Sequence, residues 1–514
     1  MEDGYEGTLM TNAEEVRREG GRPLLTPGRN CHGIARADRF ACIVDAADYF
    51  RFAKQAMLGA QKRIMLIGWD FDTRIQFEPE GQTLDGPNEL GEFLNWLPKH
   101  QPGLEIHLLK WSVGAFTAIT RGMTPVFLAN LATTKNVHLE IDTRHPLRAA
   151  HHQKIVVIDD CIAFCGGIDM TVDRWDRSDH TDDHPRRVEP NGDAYGPWHD
   201  ATTAVDGDAA RLVGDIARQR WQVATGEELD PVRGVDADPW PDALDPTMRS
   251  VDVAVARTLP ELGHQSEVRE IEQLYLDAIG SAKRFLYIES QYLAARVIAD
   301  ALAERLREPG GPEIVVVLPR HADGWLEQKA MDGARKRLLH QLWDADRHNH
   351  FRAYHPVTAA GEPIYVHAKV LVMDDELLRV GSSNLNNRSL GLDSECDLAV
   401  EVTAGDPSAG EHRRSIESVR DRLISEHLAV SVTDFRDEID RRRSLIAAID
   451  ELRGEGKTLV EFEATTVEDE ESPLAENDLM DPETAKGNSL LTRAIRFVAG
   501  RPLQRLPGAV AGRR

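Results

Sequence analysis

Apolar and polar positions run through most of this chain in short blocks whose period switches in a regular way. Residues 40–68, FACIVDAADYFRFAKQAMLGAQKRIMLIG, carry apolar positions at helical spacing and then an unbroken β-rich run. Residues 268–293, VREIEQLYLDAIGSAKRFLYIESQYL, repeat that succession. In each, an amphipathic helix closes on Ala-Gln-Lys-Arg or Ala-Lys-Arg and feeds a buried strand. Further strands are predicted at LEIHLLKW (104–111) and EIVVVLP (313–319), then at NVHLEIDT (136–143) and HFRAYHPV (350–357). Each half then reaches a strand that carries a histidine. Strands alternating with helices at this rhythm predict an α/β fold, and continuous apolar runs predict strands covered on both faces. The same order appearing twice predicts an internal duplication.

The pattern divides the chain into an N-terminal extension (1–35), a first half (36–230), a linker rich in Pro and Asp (231–250), a second half (251–430), a charged helix (431–457) and a tail (458–514). Only the first half carries a polar insertion, at 171–199, whose length points to a functional loop. Residues 458–485 hold ten acids and no Lys or Arg, which predicts disorder. The last stretch, 486–514, holds seven basic residues and no acid; its amphipathic piece SLLTRAIRFVAGR (489–501) reads as a weak tether to anionic membranes.

Composition narrows the classes. With 514 residues there is core enough for two large α/β units. A formal charge of −25 disfavours nucleic acid as a partner, because backbone binding needs a basic face. Five scattered cysteines build neither a disulfide framework nor a zinc knuckle. The acidic start MEDGYEGTLM is unlike a signal peptide, and no apolar run approaches the ~18 residues of a span. The expectation is a soluble cytoplasmic monomer, meeting lipid only as a peripheral visitor to the inner membrane face.

The chemistry lies in one repeated motif. HHQKIVVIDDCIAFCGGID (151–169) and VHAKVLVMDDELLRVGSSN (366–384) share one spacing: His152, Lys154, Asp159, Gly166 and Asp169 against His367, Lys369, Asp374, Gly381 and Asn384. His and Lys two apart on a strand share a face. Beside a phosphate, the ammonium supplies charge and the imidazole a nucleophile or an acid. One copy lacks a second imidazole for the leaving group; two copies around a pseudo-twofold axis supply it. No metal or cofactor is required, and no HExxH or acid cluster at ligand spacing is present. Gly166, Gly167 and Gly381 allow close backbone approach. Asp169, Asn384 and Ser382 are candidates to reach phosphate or lysine. Asp159 and Asp374, at the strand end and on its other face, are expected to bond backbone groups.

At these residues the chain resembles the phospholipase D superfamily, named for duplicated HxKxxxxD motifs, from about residue 40 to 430. GGIDMTVDRWD (166–176) and PWHD (197–200) resemble segments of phosphatidylcholine-type members. IESQYL (288–293), GSSNLNNRSLGLDSE (381–395) and EHL (426–428) fit the same family. The resemblance implies two similar α-β-α sandwich halves with mixed sheets and an active site at their interface. It implies that Glu395 orients His152 and Asp200 orients His367. It implies attack by His152, although the motif itself is symmetric, with Lys154, Lys369 and Asn384 on the phosphoryl oxygens. The implied reaction cleaves the distal phosphodiester of a glycerophospholipid, with water or an alcohol as acceptor. Arg174, Trp175 and Trp198 of the insertion are expected to rim the pocket. Asp169 stands where many members have Asn, which calls for compensation by Arg174 or a lysine. A cardiolipin-synthase-like transferase and a metal-independent nuclease are the alternatives.

Overall fold

The computed structural model describes residues 23–111, residues 134–465 apart from 135, 147, 236, 237 and 324, and the isolated positions 122, 124, 127, 467, 481 and 482. Two sheets of identical strand order dominate it. In the first half the order runs Gly33–Val44, Ala201–Asp206, Ile162–Gly166, Ile155–Ile158, Arg63–Gly68, Glu105–Trp111, Val137–Asp142. In the second it runs Met248–Leu259, Glu395–Glu401, Leu377–Gly381, Val370–Met373, Phe285–Glu289, Glu313–Val317, Phe351–Val357. The last three strands of each set are parallel, and the remaining pairs are antiparallel. Both sheets are therefore mixed, and the duplication read from the sequence extends to topology.

The two sheets join edge to edge. Gly33–Val44 and Met248–Leu259 are each 12 residues long and pair antiparallel, with Gly33 opposite Val255 and Phe40 opposite Met248. Each continues into its own sheet, the first through Val44 opposite Ala201 and the second through Val253 opposite Val400. Helices Ala46–Leu58 and Glu270–Ser281 cover the outer faces and bury Tyr49, Phe50, Ala53 and Met57, and Ile271, Leu274, Tyr275 and Ala278. A central core closes the inner faces on one another, with Val157, Cys165 and Val205 from one half and Val372, Val380 and Leu398 from the other. Helices Gly207–Thr225 and Ala409–Leu428 flank it. This continuous apolar layer sets the two motifs face to face.

Some elements differ from the sequence reading. The helix expected within 40–68 starts only at Ala46, because the buried run Phe40–Val44 is strand, paired throughout with Ala201–Val205. The linker 231–250 gives its last three residues to Met248–Leu259. The charged helix 431–457 is two helices, Val432–Arg442 and Leu445–Leu452. Arg443 turns left-handed between them (φ 56°), and Ser444 caps the second by accepting the Ala447 N–H. The extension 1–35 is not wholly separate from the core: Leu24, Leu25 and Cys31 pack into the second half. Nor is the start of the tail disordered. Thr458–Glu461 pairs with Phe351–Val357 and Phe462 is fully buried, since Leu459 and Phe462 supply the apolar contacts that the acid count obscured. The proposed tether at 489–501 lies outside the described residues. Among the described residues no helix is long and apolar enough to cross a membrane.

Candidate active site

Each catalytic histidine candidate sits on a strap just before a strand, not within one. Strands begin at Ile155 and Val370, one residue after each lysine. The straps cross between halves. His152 N–H donates to the Ser394 carbonyl at 2.9 Å, and Ser394 N–H donates back to the Ala150 carbonyl at 3.0 Å. On the other side, Tyr365 and Val366 pair with Trp198 and His199, and His367 N–H donates to the His199 carbonyl at 2.8 Å. Each strap thus lies against the segment that carries the acid of the opposite half.

That register joins imidazole to carboxylate. Nδ1 of His152 lies 3.0 Å from both oxygens of Glu395, and Nδ1 of His367 lies 2.6 Å from Asp200 Oδ2. Such a contact fixes the ring and leaves Nε2 free. Asp200 is buried against Gly167, where a Cβ would collide with its carboxylate. His151 turns the other way and is buried, with Nδ1 3.0 Å from Ser394 Oγ. His152, His367, Asp169 and Arg174 line one cleft of about 300 Å³.

The lysines face the same way as their histidines: Lys154 Nζ donates to the His152 carbonyl at 3.1 Å, and Lys369 Nζ to that of His367. The two halves then diverge. Lys154 is ion-paired with Asp169 at 3.0 Å, so the acid at this position is compensated by a lysine. Lys369 meets a neutral partner instead, Gln291 Oε1 at 3.3 Å, which Asn384 Nδ2 also approaches at 3.4 Å. Gln291 was missed as an individual residue, although its segment IESQYL stood out.

Burial governs the titration of the site. Both imidazoles are held well below the ordinary histidine range, first by burial and then by the lysines. Burial raises Asp200 to about 6 and Glu395 to about 8. Lys369 falls to about 7, through burial and repulsion from Lys154 against the pull of Asp200. The buried lysines thus disfavour further positive charge on both imidazoles, a constraint that an anionic phosphodiester would relieve.

The remaining candidates separate. Arg174 stays at the cleft, its guanidinium 4.2 Å from the ring centre of Trp198, which itself stacks on Tyr365 at 4.6 Å. Trp175 does not rim the cleft. It is buried in the outer core of the first half against His184, because neighbouring side chains of this extended loop point opposite ways. Ser382 does not face the cleft either; it is fully buried, and its hydroxyl donates to Glu395 Oε2 at 2.5 Å. Asp159 accepts the N–H groups of Gln61, Lys62 and Arg63 at 2.6–2.8 Å, and Asp374 those of Lys283, Arg284 and Phe285 at 2.8–2.9 Å. Trp69, edge-on to His152 at 6.5 Å, had no signal in the motif.

A duplicated mixed-sheet scaffold with paired His–Lys straps is a recognisable class, and comparisons agree. A family model described as phospholipase D matches residues 56–296, and one described as cardiolipin synthase, PLD-like domain, matches residues 275–419. Phospholipase D1 of Schizosaccharomyces pombe is 26% identical, over 77% of this chain and 36% of that protein. Phospholipase D alpha 1 of Carica papaya is 24% identical, over 73% of this chain and 63% of that protein. The chain therefore spans less than two thirds of the length of these relatives. A crystal structure of phosphatidylserine synthase from Haemophilus influenzae shares the fold, with a TM-score of 0.51 at 12% identity over 75% of this chain and 86% of that one. The chain belongs to the phospholipase D superfamily.

Proposed function

We propose that this protein is a phospholipase D, which cleaves the distal phosphodiester of glycerophospholipids into phosphatidic acid and a headgroup alcohol. The observation that carries this reading is the crossed pair of imidazole–carboxylate contacts, one from each half, on a single cleft. In the first step, Nε2 of His152 attacks phosphorus and the bond to the headgroup oxygen breaks. His367, protonated once the phosphate anion offsets the lysines, gives its proton to that oxygen. In the second step His367 takes a proton from water, the oxygen attacks phosphorus, and the phosphorus–nitrogen bond breaks. An alcohol in place of water yields a new phosphodiester. Lys154, Lys369 and Asn384 stabilise charge growing on the phosphoryl oxygens. Trp69, on the wall of the cleft, offers an aromatic face to a cationic headgroup.

Named relatives that are phospholipases D support this substrate class. We place it as a cytoplasmic monomer that meets its lipid substrate at the membrane surface. The match of the second half to a cardiolipin-synthase-type domain favours one further reading, in which a lipid hydroxyl is the acceptor. Mixed-micelle assays of phosphatidylcholine, phosphatidylethanolamine and phosphatidylglycerol, with and without ethanol, separate these. Headgroup release with phosphatidic acid, diverted to phosphatidylethanol by ethanol, is expected. Cardiolipin as the main product from phosphatidylglycerol would favour the transferase. No turnover of any lipid would refute both.

A further inference from the structure

Behind Asp200 lies a second polar cluster that the proposed reaction does not use. It gathers residues remote in sequence: Asp45 after the first strand, Asp176 and His180 of the insertion, His199 next to Asp200, and Glu426 from helix Ala409–Leu428 of the other half. We propose that Asp45, His180, His199 and Glu426 bind a divalent transition-metal ion, zinc by donor set, that staples the two halves beside the catalytic acid.

Donor spacing fits. Glu426 Oε1 is 3.2 Å from His180 Nε2 and 3.0 Å from His199 Nδ1. Asp45 Oδ1 is 3.4 Å from His199 Nδ1, and Asp45 Oδ2 is 3.8 Å from His180 Nε2. A tetrahedral zinc ion with bonds near 2.0–2.1 Å has donor–donor edges of about 3.3 Å. The outer partners fit as well. His180 Nδ1 lies 2.9 Å from Asp176, and His199 Nε2 lies 2.9 Å from Glu289. A metal-bound imidazole characteristically gives its other ring N–H to such a carboxylate.

Hydrogen-bond accounting points the same way. Both nitrogens of His180 and both of His199 face carboxylate oxygens. A neutral imidazole has one N–H, so in each ring one lone pair would meet an oxygen lone pair. Either two extra protons, on the imidazoles or on the carboxyls, or a cation must intervene. Asp45 is 1% exposed, and its Oδ2 has no hydrogen-bond partner. Lys457 approaches from the segment after helix Leu445–Leu452, but its ammonium donates to the Ser178 carbonyl at 2.6 Å. A surface depression lined by Asp45, Arg177, Ser178 and Asp179 offers a way in. Binding would displace the two extra protons. It would also brace Asp200, whose carbonyl accepts the Asp45 N–H at 2.8 Å and whose N–H donates to Asp45 Oδ1 at 3.2 Å.

The test uses the full chain. Elemental analysis of protein purified without chelator should find about one zinc per chain. Protein stripped with a strong chelator should melt lower and regain its Tm with one equivalent of ZnCl2. Co2+ added to stripped protein should give the visible bands of a tetrahedral site. Asp176→Asn should weaken zinc about 10–100-fold. If that variant fails to fold, the wild-type measurements decide. A metal-free protein whose Tm ignores Zn2+ and which gives no Co2+ spectrum would overturn the site and leave extra protons in its place.

Discussion

His152 and His367 are chemically alike in the sequence, and the environment only partly separates them. Substitution separates them further. With a phosphatidyl ester of p-nitrophenol, a leaving group that needs no proton, His367→Ala should keep a first-turnover burst while steady-state turnover falls on the order of 10²–10⁴-fold. His152→Ala should lose the burst as well; a burst in His152→Ala would reverse the roles. Lys369 sets a limit on pH. Its ammonium, lowered to about 7, must be charged to hold phosphate, so kcat/KM should fall as pH rises through that value. Lys369→Arg keeps its charge and should move this alkaline limb upward, whatever happens to the maximum; an unmoved limb would assign it elsewhere. Motif spacing made both His–Lys pairs legible. The pairing of Glu395 and Asp200 with the opposite histidine needed family resemblance. Trp175 and Ser382 were misjudged because a sequence does not say which way a loop side chain turns.

At the scale of elements, the two motif aspartates are the clearest case of chemistry serving the backbone. Asp374 sits at φ 53° and gathers three N–H groups that open the strand Phe285–Glu289. Asp374→Ala leaves those donors short of partners and should cost about 2–4 kcal/mol, measured by urea unfolding. A loss under about 0.5 kcal/mol would mean that water replaces the carboxylate freely. The helix–strand units were readable because their periods are strong. The long strands Gly33–Val44 and Met248–Leu259 were not, since they pair with each other across the two halves and polar residues such as Arg36 and Asp252, which stand opposite one another, interrupt their apolar runs.

The whole molecule is a duplication whose two halves close one cleft. Its repeat was visible in sequence; the edge-to-edge seam and the ordered start of the tail were not, because both depend on contacts between distant segments. Phe462 packs against His355 and lies near the guanidinium of Arg335. Phe462→Ala should therefore destabilise the second half by about 3–5 kcal/mol, read from the urea midpoint. A midpoint equal to wild type would return that segment to the status of a loose tail.

The central claim is a covalent bond from phosphorus to one imidazole. The most direct measurement is peptide mass spectrometry of His367→Ala, quenched in alkali after mixing with the p-nitrophenyl phosphatidyl ester. A phosphatidyl adduct on the peptide carrying His152 is predicted. Product formed with no adduct, or an adduct on any other residue, would contradict it.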